Sequence, residues 1–156
     1  MWKFRLPSAL LALALLSSTL TAQAATVDSK AIDALGGNSL AAHHIVLQVT
    51  DSDPKRQIVP LNVATNLMQS FGTDADVEIV ALGPGIGLLY ANNPNAAKIK
   101  ALAQQGVRFS ACENSLKKAT KKLGYEPALN PVAHKVPSGI VRIVNLVEAG
   151  YILVRP

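Results

Sequence analysis

The sequence predicts a single α/β domain, a three-layer α/β/α sandwich built on a mostly parallel five-stranded sheet. Short apolar runs of about five residues alternate along the chain with longer segments whose apolar residues recur at helical spacing. The runs are apolar almost throughout, a pattern typical of parallel strands that are buried on both faces. A length of 156 residues suits one such domain.

Composition excludes several classes of protein. Hydrophobic residues make up 49% of the chain and charged residues only 16%, which excludes intrinsic disorder. A chain with one cysteine forms no internal disulfide and holds no paired-cysteine zinc motif. The net charge is +5, but aromatic residues are only 4% and no nucleic-acid motif is present. We therefore expect no nucleic-acid partner.

The first 24 residues have the three parts of a secretory signal peptide. Lys3 and Arg5 give a positive start, residues 6–16 are apolar, and residues 22–24 (AQA) match a small-residue cleavage site. The apolar part is shorter than the span of about 20 residues that a membrane helix needs, so an uncleaved anchor is the less favoured interpretation. No second apolar stretch of spanning length follows. We predict cleavage after residue 24, a periplasmic location and no membrane span in the mature chain.

The domain is predicted to begin after a polar segment. Residues 25–42 are alanine-rich and polar, and we expect a flexible arm there before a domain that spans residues 43–156. Residues 44–50 (HIVLQVT) form the first predicted strand. Residues 51–54 (DSDP) start a helix, because Ser and Asp side chains accept from free backbone N–H groups and proline suits the first turn. Pro60 then predicts a late start or a distorted first turn.

The alternation of strands and helices continues through the middle of the chain. The second predicted strand covers residues 77–82, and a glycine-rich turn follows it at residues 83–87. That turn lacks the P-loop lysine and the spacing of a dinucleotide fingerprint. Two interpretations stay open: a tight turn between strand and helix, and part of a pocket wall. A helix over residues 95–105 and a strand over residues 107–111 come next.

The last third of the chain contributes two more helices and two more strands. A helix is predicted over residues 113–123 and a short strand over residues 132–135. Residues 140–148 have a polar residue at every third position, which favours a helix despite their β-branched content. Ser138 is its expected N-cap, and residues 151–154 form the final strand.

One helix face is strongly basic. Four lysines lie close together on the helix predicted over residues 113–123: Lys117, Lys118, Lys121 and Lys122. Exposure to solvent is the simpler interpretation of such a face, and docking to an acidic partner or to an anionic surface is the alternative.

Cys112 is the main candidate for a functional residue. It falls between a predicted strand and a predicted helix, and the carboxyl ends of parallel strands are where open α/β sheets bind ligands. The N–H groups at a helix N-terminus favour an anion and hence the thiolate, the form that attacks sulfur. Pairing between two chains, and inert burial, are the other interpretations of an unpaired cysteine in an exported protein.

Other residues are expected to border the same edge of the sheet. Gly83 and Gly85 follow a strand's carboxyl end, and Ser138 begins a helix, so we assign all three to a substrate pocket. His43 and His44 are adjacent and point to opposite sides of a strand. No His or Cys pair has a metal-ligand spacing, and we expect no metal and no cofactor.

Two segments of the chain resemble a known family. Residues 106–116 (GVRFSACENSL) resemble the G-V-x-F-x-A-C-x-N-T-L segment of DsrE/DsrF-like proteins. Residues 136–140 (VPSGI), residues 148–151 (EAGY) and the closing residues 155–156 (RP) are similar to the family's C-terminal pattern. The resemblance covers residues 43–156. It implies a parallel five-stranded α/β/α fold and homo-oligomers such as trimers or hexamers.

The resemblance also implies a function and a set of site residues. Cys112 would carry sulfane sulfur as a persulfide, in a carrier or sulfurtransferase-like role between a donor and an acceptor protein. Asn114 and Ser115 match the positions after the cysteine and are expected to bind substrate, with Ser115 standing where threonine is commoner. Relays of this family work in the cytoplasm, so their partners do not carry over to an exported chain. The alternative is a non-enzymatic oligomeric binding module with a structural cysteine.

Overall fold

A single parallel sheet organises residues 27–156, the part of the chain that the computed structural model describes. The sheet order is β4-β3-β2-β1-β5, and each neighbouring pair is parallel. The strands are β1 (His43–Val49), β2 (Ala75–Ala81), β3 (Arg108–Cys112), β4 (Ala133–Val136) and β5 (Ile152–Val154). The predicted fold class is confirmed, and each predicted strand matches an observed one to within two residues at either end.

Helices cover both faces of the sheet. They are α1 (Ser29–Ala34), α2 (Pro54–Phe71), α3 (Ala96–Gln104), α4 (Glu113–Leu123) and α5 (Gly139–Glu148). Short 3₁₀ helices occupy Gly72–Asp74 and Gly83–Leu89. The segment rich in β-branched residues, Gly139–Glu148, is therefore the helix α5, as the spacing of its polar residues predicted.

Alternate residues of β2 belong to two different cores. Val77 and Ile79 pack with apolar residues of α2 and α3, whereas Val80 packs with Ile143 and Leu146 of α5. All three of these valine and isoleucine side chains of β2 are fully buried. A strand covered on both sides needs apolar residues at most positions, which explains why only Asp76 and Glu78 interrupt the apolar residues of β2.

The helix α2 begins at Pro54 even though Pro60 lies inside it. Asp53 is its N-cap, and its carboxylate accepts from the backbone N–H of Lys55 at 2.9 Å. The side chain of Gln57 adds a bond to the carbonyl of Asp51 at 2.8 Å. The expectation of a late start is therefore wrong. Cap and side-chain bonds hold the first turn, and Pro60 is a buried residue within the helix.

Part of the predicted arm is an ordered element of the fold. Residues 29–34 form α1, whose Ile32 is fully buried against the core that α5 covers. Asp28 caps this helix, with its carboxylate accepting from the N–H of Ala31 at 3.0 Å. The expectation of a flexible arm is wrong there, because a six-residue helix is too short to show a periodic pattern.

The predictions for the first residues lie outside the described part of the chain. The signal peptide assigned to residues 1–24 cannot be compared with the fold, which is described from residue 27 onward. Within residues 27–156, no helix combines the length and the apolar character of a membrane span.

Candidate functional site

Cys112 lies at the carboxyl edge of the sheet, as its sequence position predicts. It is the last residue of β3 and also the N-cap residue of α4. Only 5% of the residue is exposed. The backbone turns from extended to helical at this point, and the thiol is therefore held where strand and helix meet.

Two helix N-termini converge on the Cys112 thiol. The first turn of α4, at Asn114 and Ser115, and the start of α5, at Gly139, bring backbone N–H groups close to the sulfur, and these groups lower the pKa of the thiol. The hydroxyl of Ser115 lowers it as well. Burial raises the pKa of the Cys112 thiol, but these nearby donor groups together outweigh burial and bring the pKa below its ordinary value. The arrangement favours the thiolate.

The approach of α5 to the thiol depends on Gly139. A Cβ atom at this position would lie 3.0 Å from Cβ of Cys112 and 3.0 Å from Cβ of Leu82. Glycine therefore lets the start of α5 come close enough for its N–H to reach the sulfur. Sequence reasoning missed Gly139 and chose the neighbouring Ser138. The available signal was a glycine directly after the expected N-cap.

Ser115 joins the thiol to the glycine-rich turn. Its hydroxyl oxygen accepts from the backbone N–H of Gly83 at 2.7 Å, and its proton is directed at Cys112. The residue is buried, so this orientation is fixed by its neighbours. Among the predicted pocket residues, Asn114, Ser115 and Gly83 thus lie together around the sulfur.

Gly85 and Ser138 have different surroundings from those predicted. A Cβ on Gly85 would lie 2.8 Å from Cα of Thr50, so this glycine permits close packing of the turn against the end of β1. Its N–H donates to the carbonyl of Leu82 at 3.1 Å. Ser138 is the N-cap of α5, as predicted, but its side chain makes no capping hydrogen bond.

Two open grooves flank the thiol. The first, which we name the α4 groove, has a volume of about 470 Å³ and runs between the 3₁₀ turn and α4, from Ser115 to Leu123. The second, the α5 groove, has a volume of about 370 Å³ and includes Val136, Ser138 and Arg142. Cys112 itself lines neither groove. The α4 groove includes Ser115, and the α5 groove includes Ser138, which precedes Gly139 in the chain.

An ionic cluster lies beneath the site on the same face of the sheet. Ser110 and Cys112 share this face because strand residues two apart point the same way. Glu78 is fully buried and accepts from Arg142 at 2.7 and 2.8 Å, from Arg108 at 2.8 Å and from Ser110 at 2.6 Å. We call the group formed by Asp76, Glu78, Arg108, Arg142 and Tyr151 the ionic cluster.

The rest of the cluster ties the N-terminal segment to the sheet. Asp76 accepts from Arg108 at 2.9 Å and from the hydroxyl of Tyr151. Both arginines donate to the carbonyl of Leu35, which follows α1. Burial and the bond to Asp76 raise the pKa of Tyr151. Burial lowers the pKa of Arg108, but the two carboxylates outweigh burial and raise it overall. Both shifts favour a charged Arg108 guanidinium beside a neutral Tyr151 hydroxyl.

The histidines do not form a metal site with the cysteine. His44 is buried, and its Nε2 lies 3.0 Å from the carbonyl oxygen of Asn38. The ring of His43 lies 4.1 Å from that of Phe71, and His134 is exposed on the edge strand β4. Over residues 27–156, no three His, Cys, Asp or Glu side chains are grouped so that they could hold a metal ion.

Comparison with known proteins supports the family resemblance. A solved structure from Methanobacterium thermoautotrophicum, the protein of unknown function MTH1491, has the same fold with a TM-score of 0.65. It is 28% identical and covers 73% of this chain and 99% of its own. Among curated proteins, none matches the sequence significantly. The model of the DsrE/DsrF-like family matches residues 43–156, which include every residue of the thiol site. The chain belongs to the DsrE/DsrF-like family.

Proposed function

We propose that this protein, a member of a sulfur-relay-related family, is a periplasmic sulfur carrier or sulfurtransferase-like protein that holds a persulfide on Cys112. The observation that carries the proposal is the convergence of two helix N-termini on one thiol sulfur. Backbone N–H groups and helix dipoles favour negative charge there. They stabilise the thiolate both as the attacking group and as the leaving group.

The proposed cycle has two displacement steps. In the first, the Cys112 thiolate attacks the outer sulfur of thiosulfate, a new S–S bond forms, and the donor's S–S bond breaks with its electron pair leaving on sulfite. In the second, an acceptor thiolate attacks the outer sulfur of the Cys112 persulfide. The Cys112–S bond to that sulfur then breaks, and Cys112 leaves as a thiolate. No net oxidant or reductant is needed in either step.

The burial of Cys112 favours a second candidate function. A thiol that is 5% exposed also suits a structural cysteine in a non-enzymatic binding module. The same burial suits a carrier in the periplasm, where an exposed thiol meets disulfide-forming machinery. The two candidates differ in one measurable property, which is whether the sulfur atom of Cys112 accepts sulfane sulfur.

Mass spectrometry of the intact protein from the periplasmic fraction tests the proposal. After thiosulfate or polysulfide treatment, we expect an added mass of about 32 Da, one sulfur atom, on a chain that begins at Ala25. Cys112→Ser should gain nothing, and a reductant should remove the added mass. A wild-type thiol that stays unmodified with every donor, in a protein whose fold is intact, would establish the structural cysteine instead.

We also propose that the chain forms homo-oligomers, as the family resemblance implies. The outer face of α5 carries four large apolar side chains that are 43% to 54% exposed: Ile140, Val141, Val144 and Val147. Contiguous apolar surface of this kind is typical of protein interfaces. A second copy of the chain is the occupant we propose for this face.

Sedimentation of two valine variants tests the proposed interface. Val144→Asp should convert the wild-type trimer or hexamer into monomer, because it places a charge in an apolar contact. Val59→Asp is the matched control, since Val59 is 42% exposed on α2 and should leave the oligomer intact. A monomeric wild type, or dissociation by Val59→Asp alone, would remove α5 as the interface.

A further inference from the structure

The α4 groove has an apolar floor that the thiol site does not explain. Ile86 is buried on the 3₁₀ turn, and Tyr90, Ala119 and Leu123 extend the apolar surface along the groove. Leu123 remains 45% exposed. The volume of about 470 Å³ is large compared with an inorganic anion, and the groove follows α4 for two turns.

The rim of the α4 groove is positively charged without compensation. Lys118 and Lys122 line it one helical turn apart, and no acidic residue lines it. Both lysines are exposed, and within residues 27–156 neither takes part in an ion pair. Residues four apart on a helix are neighbours, so the two ammonium groups form one local patch of charge.

The opposite side of α4 is lined by acidic as well as basic residues. Lys117 and Lys121 line a separate groove that also includes Glu113 and Glu126. There Glu126 pairs with Lys135 at 2.9 Å. Acidic residues therefore balance part of the charge on that side, whereas the α4 groove keeps its full positive excess.

The α4 groove also leads to the sulfur. Ser115 and Gly83 close one end of it, joined by their 2.7 Å hydrogen bond. The hydroxyl of Ser115 donates to the Cys112 thiol. A chain lying in the groove would therefore have its end beside Ser115, a neighbour of the thiol.

We infer that the α4 groove binds an acidic polypeptide segment of the protein that exchanges sulfur with Cys112. The inference rests on the proposed function, and it adds the chemistry of the partner. Carboxylates of the segment would pair with Lys118 and Lys122, and its apolar side chains would cover the floor. A cysteine thiolate at the end of the segment would attack the outer sulfur of the persulfide. Cys112 would keep the electron pair of the broken S–S bond as its thiolate.

Peptide binding to charge-reversed variants tests the inference. The probe is a dye-labelled synthetic peptide of alternating glutamate and leucine, and fluorescence anisotropy gives its dissociation constant. Lys118→Glu with Lys122→Glu should weaken binding by at least about tenfold, because like charges then face each other across the groove. Lys117→Glu with Lys121→Glu changes the net charge equally on the same helix and should weaken binding less than about threefold. A peptide with lysine in place of glutamate should not bind.

Separate readouts keep this inference distinct from the proposed function. Binding is measured on Cys112→Ser, which cannot form a persulfide, and loading is measured by mass on the wild type without peptide. Binding without loading would support the groove and overturn the carrier function. Loading with no peptide binding, or equal weakening by the two lysine pairs, would overturn the groove. Thermal melting of each variant confirms its fold, since all four lysines are exposed.

Discussion

Replacing Glu78 by glutamine should lower the free energy of unfolding by about 3 kcal/mol, because it leaves two partly buried guanidinium groups without their shared anion. The Glu78 side chain is fully buried, and its two oxygens accept from both Arg108 and Arg142. Glutamine turns one acceptor oxygen into an NH₂ donor that faces guanidinium donors. The effect lies near the lower end of the range for breaking a buried pair. The two arginine side chains are 19% and 17% exposed and so keep some contact with water.

A surface pair in the same molecule supplies the control for this prediction. Glu126 and Lys135 also form an ion pair, at 2.9 Å, but their side chains are 59% and 48% exposed. Glu126→Gln removes the same charge and should lower stability by at most about 1 kcal/mol. Urea denaturation of the wild type and both variants gives the free energies. Equal small losses would show that the ionic cluster is not a stabilising element.

The ionic cluster also shows why part of the fold could not be predicted from the sequence. Glu78 interrupts an apolar run by one residue, and nothing local indicates that Arg142, far along the chain, lies above it. Strand and helix patterns depend on neighbouring residues and were recognisable. The docking of α1 involves the carbonyl of Leu35, which accepts from Arg108 and Arg142, residues that lie 73 and 107 positions further along the chain.

The position of the Cys112 thiol was predictable from the sequence, whereas only part of its surroundings was. A cysteine between a strand and a helix indicates the carboxyl edge of a parallel sheet, and the match at Asn114 and Ser115 points to that helix's first turn. The start of the second helix was assigned to the same edge through Ser138, but the close approach of Gly139 to the thiol could not be foreseen from spacing alone. Gly139 reaches Cys112 because β4 and α5 return to the same edge, which is a consequence of sheet order.

Replacing Ser115 by alanine should slow the alkylation of Cys112 at neutral pH by about tenfold. The change removes one hydrogen bond to the thiolate, and a hydrogen bond to a charged group contributes about 1.5–3 kcal/mol. It also leaves the N–H of Gly83 without its acceptor. The backbone donors from Asn114 and Gly139 remain, so the thiolate is less favoured but still supported.

The pH profile identifies the cause of the slower reaction. In the wild type the pKa of the folded thiol lies below its ordinary value, so the thiolate persists to lower pH than in a free cysteine. Ser115→Ala raises that pKa and moves the profile of alkylation rate against pH towards higher pH. Well above both pKa values each protein is fully ionised, and the two rates should converge. The ionised thiol also stabilises the fold above the unfolded pKa, and this stability is lost as the pH falls through the folded pKa.

The control variant Ser138→Ala helps to separate the loss of a hydrogen bond to Cys112 from a change in how easily reagents reach its sulfur. Ser138→Ala makes the same chemical change beside the other helix N-terminus, where the side chain makes no capping bond. We expect its alkylation profile with iodoacetamide to overlie that of the wild type. If Ser115→Ala instead changed the rate by the same factor at every pH, the hydroxyl would control only how reagents reach the sulfur. A persulfide carrier needs an ionised thiol, so that result would weaken the proposal that the two helix N-termini stabilise the Cys112 thiolate. A profile displaced along the pH axis would instead place Ser115 among the groups that stabilise the thiolate.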